Sequence, residues 1–260
     1  MCAVLHDQQD SNSTLETESS ALIASYCVGA FSMVGWMLVT TQYLWGNPMI
    51  GTLHVHDLIL LKSETTVTST KGGAYPYLNP NQRPWGVVRR GRISDGLIPV
   101  GVRGAQRHER CAGFTRLSEV IEIRRPDHLR LTLADDARRA LQAFRTLAYL
   151  ESHLVGLNMS WGPGGSVGYE LASGIPAVRD DSDLDFILFA PEKLAITEAQ
   201  NFWRMISSAP GKVDALVETP LCGFSLKEFV TTSPRKILLR TSDGRILDSN
   251  PWDLSNSEDS

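Results

Sequence analysis

The 260-residue chain contains no CxxC pair, and its four cysteines, Cys2, Cys27, Cys111 and Cys222, are scattered. This excludes a disulfide framework and a cysteine-ligated zinc site, and it points to a reducing, cytoplasmic setting. There is no GxGxxG run and no Gly-Lys-Ser/Thr, so neither a dinucleotide fingerprint nor a P-loop is present. Only two of the six histidines, His54 and His56, stand close together. Two ligands with no third partner nearby make a poor metal site, so both read as structural. Charge is missing altogether from Ser19 to His56, and the first 48 residues hold no Lys or Arg.

That last absence shapes the reading of the N-terminus. Ala21 to Ile50 is largely apolar and long enough to span a bilayer. It lacks the basic flank that orients a membrane span. The preceding acids Asp7, Asp10, Glu16 and Glu18 are wrong for a signal-peptide n-region. A membrane anchor, a buried hairpin and translated upstream sequence are the three readings. The third is favoured, with residues 1–48 a non-homologous extension and a well-formed domain beginning at Met49.

What remains is ordinary for a soluble globular protein, 42% hydrophobic and 21% charged, with a net charge of −4. The charge is unevenly placed: residues 49–130 hold 13 Lys+Arg against 7 Asp+Glu, and residues 131–260 hold 12 against 18. A basic half beside an acidic half suits a polyphosphate ligand that meets a carboxylate cluster; the bland alternative is two solvated surfaces that differ by chance. In the basic half, Leu58 to Leu61 reads as a buried strand, and Trp85 to Gly91 as a strand ending in the pair Arg89-Arg90. Arg103, Arg107 and Arg110 fall on one face if a helix starts near Gly104. Arginine forks match phosphate oxygens in pairs, although a charge run is more often a solvated face. A strand at Val120–Ile123 is followed by a linker, which puts a domain boundary near 126–133.

In the acidic half, Asp135 to Leu154 reads as a structural helix with Thr132 as N-cap and Asp135-Asp136 at its positive end. Next, Trp161-Gly162-Pro163-Gly164-Gly165-Ser166 forces a tight loop that runs into a helix over Ser166–Ala172. Glycines let backbone amides close on a phosphate, a helix N-terminus favours the anion, and the Ser166 hydroxyl adds a donor. Then Ser182-Asp183-Leu184-Asp185 enters the apolar run Phe186 to Phe189. On a strand, Asp183 and Asp185 share one face about 7 Å apart. Two carboxylates so placed fit Mg²⁺, which takes oxygen ligands and keeps positions open for phosphate; an acidic, solvated turn is the plain alternative. Asp214, Leu216 and Glu218 share a face of a later strand. If that strand pairs beside 183–189, Asp214 completes a three-carboxylate cluster, with Glu218 as the alternative member. A Gly-Ser loop, a helix, an Asp-x-Asp strand and a later strand with one more Asp follow the order of the nucleotidyltransferase superfamily, which includes DNA polymerase β. The fold class expected is therefore α+β, an N-terminal basic α/β-type domain over 49–130 followed by a mixed-sheet nucleotidyltransferase domain over 131–260.

Trp161-Gly162-Pro163, Gly165 to Ala172 and Ser182-Asp183-Leu184-Asp185 resemble the malonate decarboxylase holo-acyl-carrier-protein synthase family, also called phosphoribosyl-dephospho-CoA transferase. The likeness extends to His56-Asp57-Leu58, Val87 to Gly91, Ile98 to Gly104, Arg107, Asp214 and Asn250-Pro251-Trp252, and so covers roughly 54–253. The resemblance implies attachment of 2'-(5-triphosphoribosyl)-3'-dephospho-CoA to a serine of the apo acyl-carrier subunit of malonate decarboxylase, with loss of pyrophosphate. Asp183 and Asp185 would hold Mg²⁺, Gly165 and Ser166 the triphosphate, and Asp214 would act as third ligand or base. Arg89, Arg90, Arg103 and Arg107 would bind ligand phosphates or the acidic carrier. No nucleic acid or membrane partner is expected. Rival readings are a citrate lyase carrier synthase, a protein nucleotidylating enzyme, or a non-catalytic protein tethered by Ala21–Ile50. A chain starting at Met49 is expected to be soluble and fully active when expressed beside the longer chain. A short chain that is insoluble or inactive, beside a soluble and active long one, would make the apolar segment part of the fold.

Overall fold

The computed structural model describes residues 53–63, 67–69, 84–93, 95–103, 110–156, 159–232 and 235–254. The extension over 1–48 and Arg107 lie outside the described residues. Six strands from the basic half form one sheet: β1 (Leu58–Leu61), β2 (Thr68–Ser69), β3 (Trp85–Val88), β4 (Leu97–Arg103), β5 (Arg110–Arg116) and β6 (Val120–Arg124). Their order is β2-β5-β4-β3-β1-β6, and every pairing is antiparallel. The unbroken apolar run Leu58-Ile59-Leu60-Leu61 is buried at every position, which explains its lack of alternation. Leu58 and Leu60 join Trp85 in the main core, while Ile59 and Leu61 pack with Val88, Val100 and Val102 in a smaller one.

Two expectations for this half are corrected. It is an antiparallel sheet, with no α-helix among the described residues, rather than an α/β-type domain. Arg103 and Arg110 do not share a helix face. They end β4 and begin β5, and they face each other across the hairpin, as the Val100 and Val102 burial on β4 requires a two-residue period.

The acidic half builds the second sheet from β7 (Trp161–Pro163), β8 (Leu184–Phe189), β9 (Val213–Glu218), β10 (Gly223–Ser225), β11 (Ile237–Arg240) and β12 (Arg245–Asp248), in the order β12-β11-β10-β9-β8-β7. Four helices accompany it among the described residues: α1 (Gln142–His153), α2 (Gly165–Ser173), α3 (Ile196–Ser207) and α4 (Leu226–Thr232). The class is thus α+β. The strands β8 and β9 are parallel, joined through α3; the other pairings of this sheet are antiparallel. Leu184, Phe186 and Leu188 of β8 pack in the main core with Phe144, Leu147 and Leu150 of α1 and Phe202 and Ile206 of α3. Burying so many Leu and Phe side chains at roughly 1.5–3 kcal/mol each makes β8 the best-anchored strand in the sheet. No helix among the described residues is long and apolar enough to cross a membrane.

The helix expected over 135–154 is shorter, and Thr132 does not cap it. The Asp135 carboxylate accepts the Ala137 amide at 2.8 Å and closes a single 3-10 turn over Asp136–Arg138. The two arginines that follow are drawn into tertiary bonds: Arg139 donates to the carbonyls of Thr132 and Ala134, and Arg138 reaches Glu170 on α2. The α-helix starts only at Gln142.

Glu170 is 5% exposed and holds the chain between α2 and β8 in place. Its carboxylate pairs with Arg138 through both oxygens and accepts the amides of Ala177 at 2.6 Å and Val178 at 2.7 Å. Arg138 also donates to the Val178 carbonyl at 2.7 Å. Burial alone would raise the Glu170 carboxyl, but the Arg138 fork and the two amides outweigh it and hold it below the ordinary glutamate range. A depressed carboxyl stabilises the fold fully at neutral pH, and that contribution is lost as the pH falls below about 4 through the folded value. Removing one partner of a buried pair typically costs about 3 kcal/mol or more. Glu170→Gln is therefore expected to lower the urea midpoint at pH 7 strongly and to flatten its fall towards acid pH. Asp243→Asn, which breaks the exposed Arg92–Asp243 pair, should leave it nearly unchanged. Equal effects of the two variants would refute the anchoring role of Glu170.

Candidate phosphoryl-transfer site

The site is built on the start of the parallel pair. The ladder sets Leu184 opposite Val213 and Asp185 opposite Asp214, and the Leu184 amide donates to the Lys212 carbonyl at 3.0 Å. Residues in register on adjacent strands project to the same side, so Asp185 and Asp214 are side by side, about 4.8 Å apart at the backbone. Both are exposed, whereas Leu184 and Phe186 flanking Asp185 are fully buried. The carboxylates thus lie on the wet face of a strand whose other face is in the core. Asp183 immediately precedes β8 and pairs with the Lys212 ammonium.

A second element closes on the same point. The strand β7 runs antiparallel to β8, with Pro163 opposite Phe186, and the Gly164 amide donates to the Asp185 carbonyl at 2.8 Å. The chain then turns through Gly165, with φ of +53°, into α2. A Cβ at Gly165 would collide with Asp185 Oδ2. This position needs glycine twice over, for the left-handed backbone and for the contact with Asp185. As a result the amino end of α2, with its free amides and favourable dipole, abuts the Asp185 carboxylate. Gly165 is exposed and Ser166 is half-buried, so this end is open to a ligand.

The arginines divide. Arg103 reaches across from β4 to α2: its guanidinium lies 5.7 Å from the centre of the Tyr169 ring and donates to the Ala177 carbonyl at 3.4 Å. Burial raises the Tyr169 hydroxyl pKa, and the Arg103 charge opposes that rise. Arg89 is exposed, with its stem lying against Gly101. Arg90 is turned instead to Glu218, which also binds His56 Nε2 at 2.7 Å. The alternative placing of Glu218 in the carboxylate cluster is thereby corrected. It ends β9, four residues and about 13 Å beyond Asp214. Burial pushes the Glu218 carboxyl up, yet His56 and Arg90 together hold it below its ordinary value. His56 is structural, as expected, tying the segment before β1 to β9.

Lys212 and Glu170 carried no role in the sequence reading, and the joining of His56, Glu218 and Arg90 in one cluster was not expected there. Only Lys212 offered a signal, since it stands two residues before Asp214, just ahead of the strand whose pairing places it beside Asp183. The motif Asn250-Pro251-Trp252 is a packing element: the Pro251 carbonyl accepts from Thr219 Oγ1 at 3.1 Å, and Trp252 Nε1 donates to the Ala190 carbonyl at 3.0 Å.

Among the described residues, no three His, Cys, Asp or Glu side chains are gathered so as to hold a metal ion by themselves. The donor set nonetheless fits Mg²⁺, which is commonly held by one or two carboxylates with substrate phosphates completing its shell. Asp183 and Asp185 supply hard oxygens at the mouth of the site, where Asp185 is exposed and Asp183 half-buried.

Comparison with known proteins gives the family. Residues 54–126 match the phosphoribosyl-dephospho-CoA transferase MdcG N-terminal domain, and residues 130–251 match the C-terminal domain of the same family. The chain is similar to the phosphoribosyl-dephospho-CoA transferase of Pseudomonas putida, 34% identical over 166 residues that cover 64% of this chain and 79% of the relative. It is similar to that of Pseudomonas aeruginosa at 33% over 172 residues, covering 66% and 81%. It is also similar to that of Azotobacter vinelandii at 32% over 170 residues, covering 64% and 79%. No solved structure matches the chain. With both domain models matched in order and relatives of the same name aligned over most of their length, the chain belongs to the phosphoribosyl-dephospho-CoA transferase family of transferases.

Proposed function

We propose that the chain is a nucleotidyltransferase-type enzyme that moves phosphoribosyl-dephospho-CoA from 2'-(5-triphosphoribosyl)-3'-dephospho-CoA to a serine of the apo acyl-carrier subunit of malonate decarboxylase. The observation that carries this reading is the contact of Gly165 with Asp185, which joins an anion-binding helix end to a carboxylate pair. In this reading the amides at the start of α2 and the Ser166 hydroxyl bind the triphosphate. Arg103, fixed over Tyr169, presents positive charge one helical turn further on, and Arg89 adds to it for the dephospho-CoA phosphate or the acidic carrier; the same role is assigned to Arg107 on the family resemblance alone. Arg90 contributes from its place beside Glu218.

The carrier serine oxygen forms a bond to the α-phosphorus as the bond from that phosphorus to the bridging oxygen breaks. Pyrophosphate leaves, and the serine proton passes to a carboxylate, a role this reading assigns to Asp214. Mg²⁺ held by Asp183 and Asp185 would supply charge neutralisation at the reacting phosphoryl group. The helix end and arginines hold the triphosphate in line, which is most of what phosphoryl transfer requires of a protein.

The direct test is the intact mass of the purified apo carrier after incubation with this protein and triphosphoribosyl-dephospho-CoA. A gain of one phosphoribosyl-dephospho-CoA group on the carrier serine is expected. Gain from ATP instead, or on a citrate lyase carrier alone, would overturn the proposal. Asp183→Asn and Asp185→Asn should each slow transfer by at least about a hundredfold, because a lost metal ligand removes several kcal/mol of charge stabilisation. Ser166→Ala should raise KM for the triphosphate by roughly fivefold, the loss of one phosphate hydrogen bond. Normal turnover in both Asp variants would reject the carboxylate site.

A further inference from the structure

Lys212 stands with the acidic side chains at the start of β8 and β9. Lys212 precedes β9, and its backbone is fixed by the Leu184 amide, which donates to its carbonyl at 3.0 Å. Its ammonium is paired with Asp183 Oδ2, and Asp214 and Asp185 attract the same charge. The lysine side chain is 75% exposed and Asp183 is 42% exposed, so this is a pair at the mouth of the site rather than a buried strut. The ammonium donates to Asp183, and its long, flexible stem lets it turn outward.

We infer that Lys212 is the resident counter-ion of Asp183, occupying the position that a divalent cation takes when the triphosphate arrives, and that it then moves to the phosphates. The inference rests on the metal-dependent reading of this site. Carboxylates gathered on adjacent strands repel one another, and a cation beside one of them lessens that cost. With no substrate present, Lys212 offsets the charge of Asp183. A divalent cation must displace the ammonium from Asp183, so free protein binds the metal weakly. The arriving triphosphate removes that competition by offering the ammonium four negative charges at the end of α2. Metal and triphosphate therefore bind cooperatively, and the carboxylates do not trap metal between turnovers. Lys212 is a positioning residue in the resting state and a phosphate contact in the loaded one.

The test is Mn²⁺ binding to the full chain, followed by the electron paramagnetic resonance signal of free Mn²⁺, with and without inorganic tripolyphosphate. Lys212→Met should bind Mn²⁺ about fivefold more tightly than the wild type in the absence of tripolyphosphate, as expected from removing one competing charge at contact distance. The same variant should lose the tightening that tripolyphosphate produces in the wild type, while Lys212→Arg keeps it. Asp185→Asn serves as the control and should weaken Mn²⁺ binding in either background. If Lys212→Met and wild type bind Mn²⁺ equally while Asp185→Asn binds less, the counter-ion inference fails and the metal site stands. If Asp185→Asn does not change Mn²⁺ binding, both readings fail.

Discussion

The parallel pairing of β8 with β9 is the constraint on which the site depends. Because the ladder sets Asp185 opposite Asp214, it brings two acidic side chains together that are 29 residues apart in sequence, and it places Lys212 beside Asp183. A parallel pair cannot be closed by a tight turn and needs a crossover, here α3, so the connection itself must be packed. Its buried face supplies that packing. Leu184, Phe186 and Leu188 sit among the side chains of α1 and α3, and a register slip of one residue would turn this apolar row out to water. The core thus holds the charges in place: the carboxylates stay together because the opposite face of their strand cannot move.

A second constraint acts at the turn from β7 into α2. Gly165 touches Asp185 so closely that no side chain fits, and this contact sets where α2 begins. From there two polar anchors locate the remainder. Glu170 on α2 holds Arg138 and the amides of Ala177 and Val178, which fixes the path back to Asp183. Glu218, at the far end of β9, binds His56 and Arg90 from the first sheet. Arg103 adds a contact from that sheet to α2. The basic half is therefore applied to the acidic half at both ends of the site, and the division of charge along the chain has a structural use apart from any ligand.

Much of the site was legible because its signals are local. The period-two spacing of Asp183 and Asp185, the glycines before Ser166, and the alternation of Asp214, Leu216 and Glu218 each follow from the geometry of one element. The apolar run Leu58–Leu61 likewise identified a strand buried on both faces. What the sequence could not show was which partner each charge would find. Arg103, Arg107 and Arg110 have helical spacing, yet Arg103 and Arg110 lie on two strands, because the alternating burial of Val100 and Val102 prevails over arginine spacing. Glu218 looked equivalent to Asp214 on the same strand face, and only the sheet contact with His56 and Arg90 separates them. The helix over 135–154 was overextended because Asp135 reads equally well as the cap of a short turn. In each case the deciding bond is tertiary.

In the proposed reading the carboxylates at the start of β8 and the amino end of α2 form one phosphate-and-metal site. A crystal structure of the chain with Mn²⁺ and inorganic tripolyphosphate, with Mn²⁺ located by its anomalous scattering, tests this. One Mn²⁺ peak at the Asp183 and Asp185 carboxylates, phosphate oxygens on the amides of Gly165 and Ser166, and Lys212 turned away from Asp183 are expected. Tripolyphosphate bound elsewhere, with Lys212 still paired to Asp183 and no Mn²⁺ at these carboxylates, would contradict this reading.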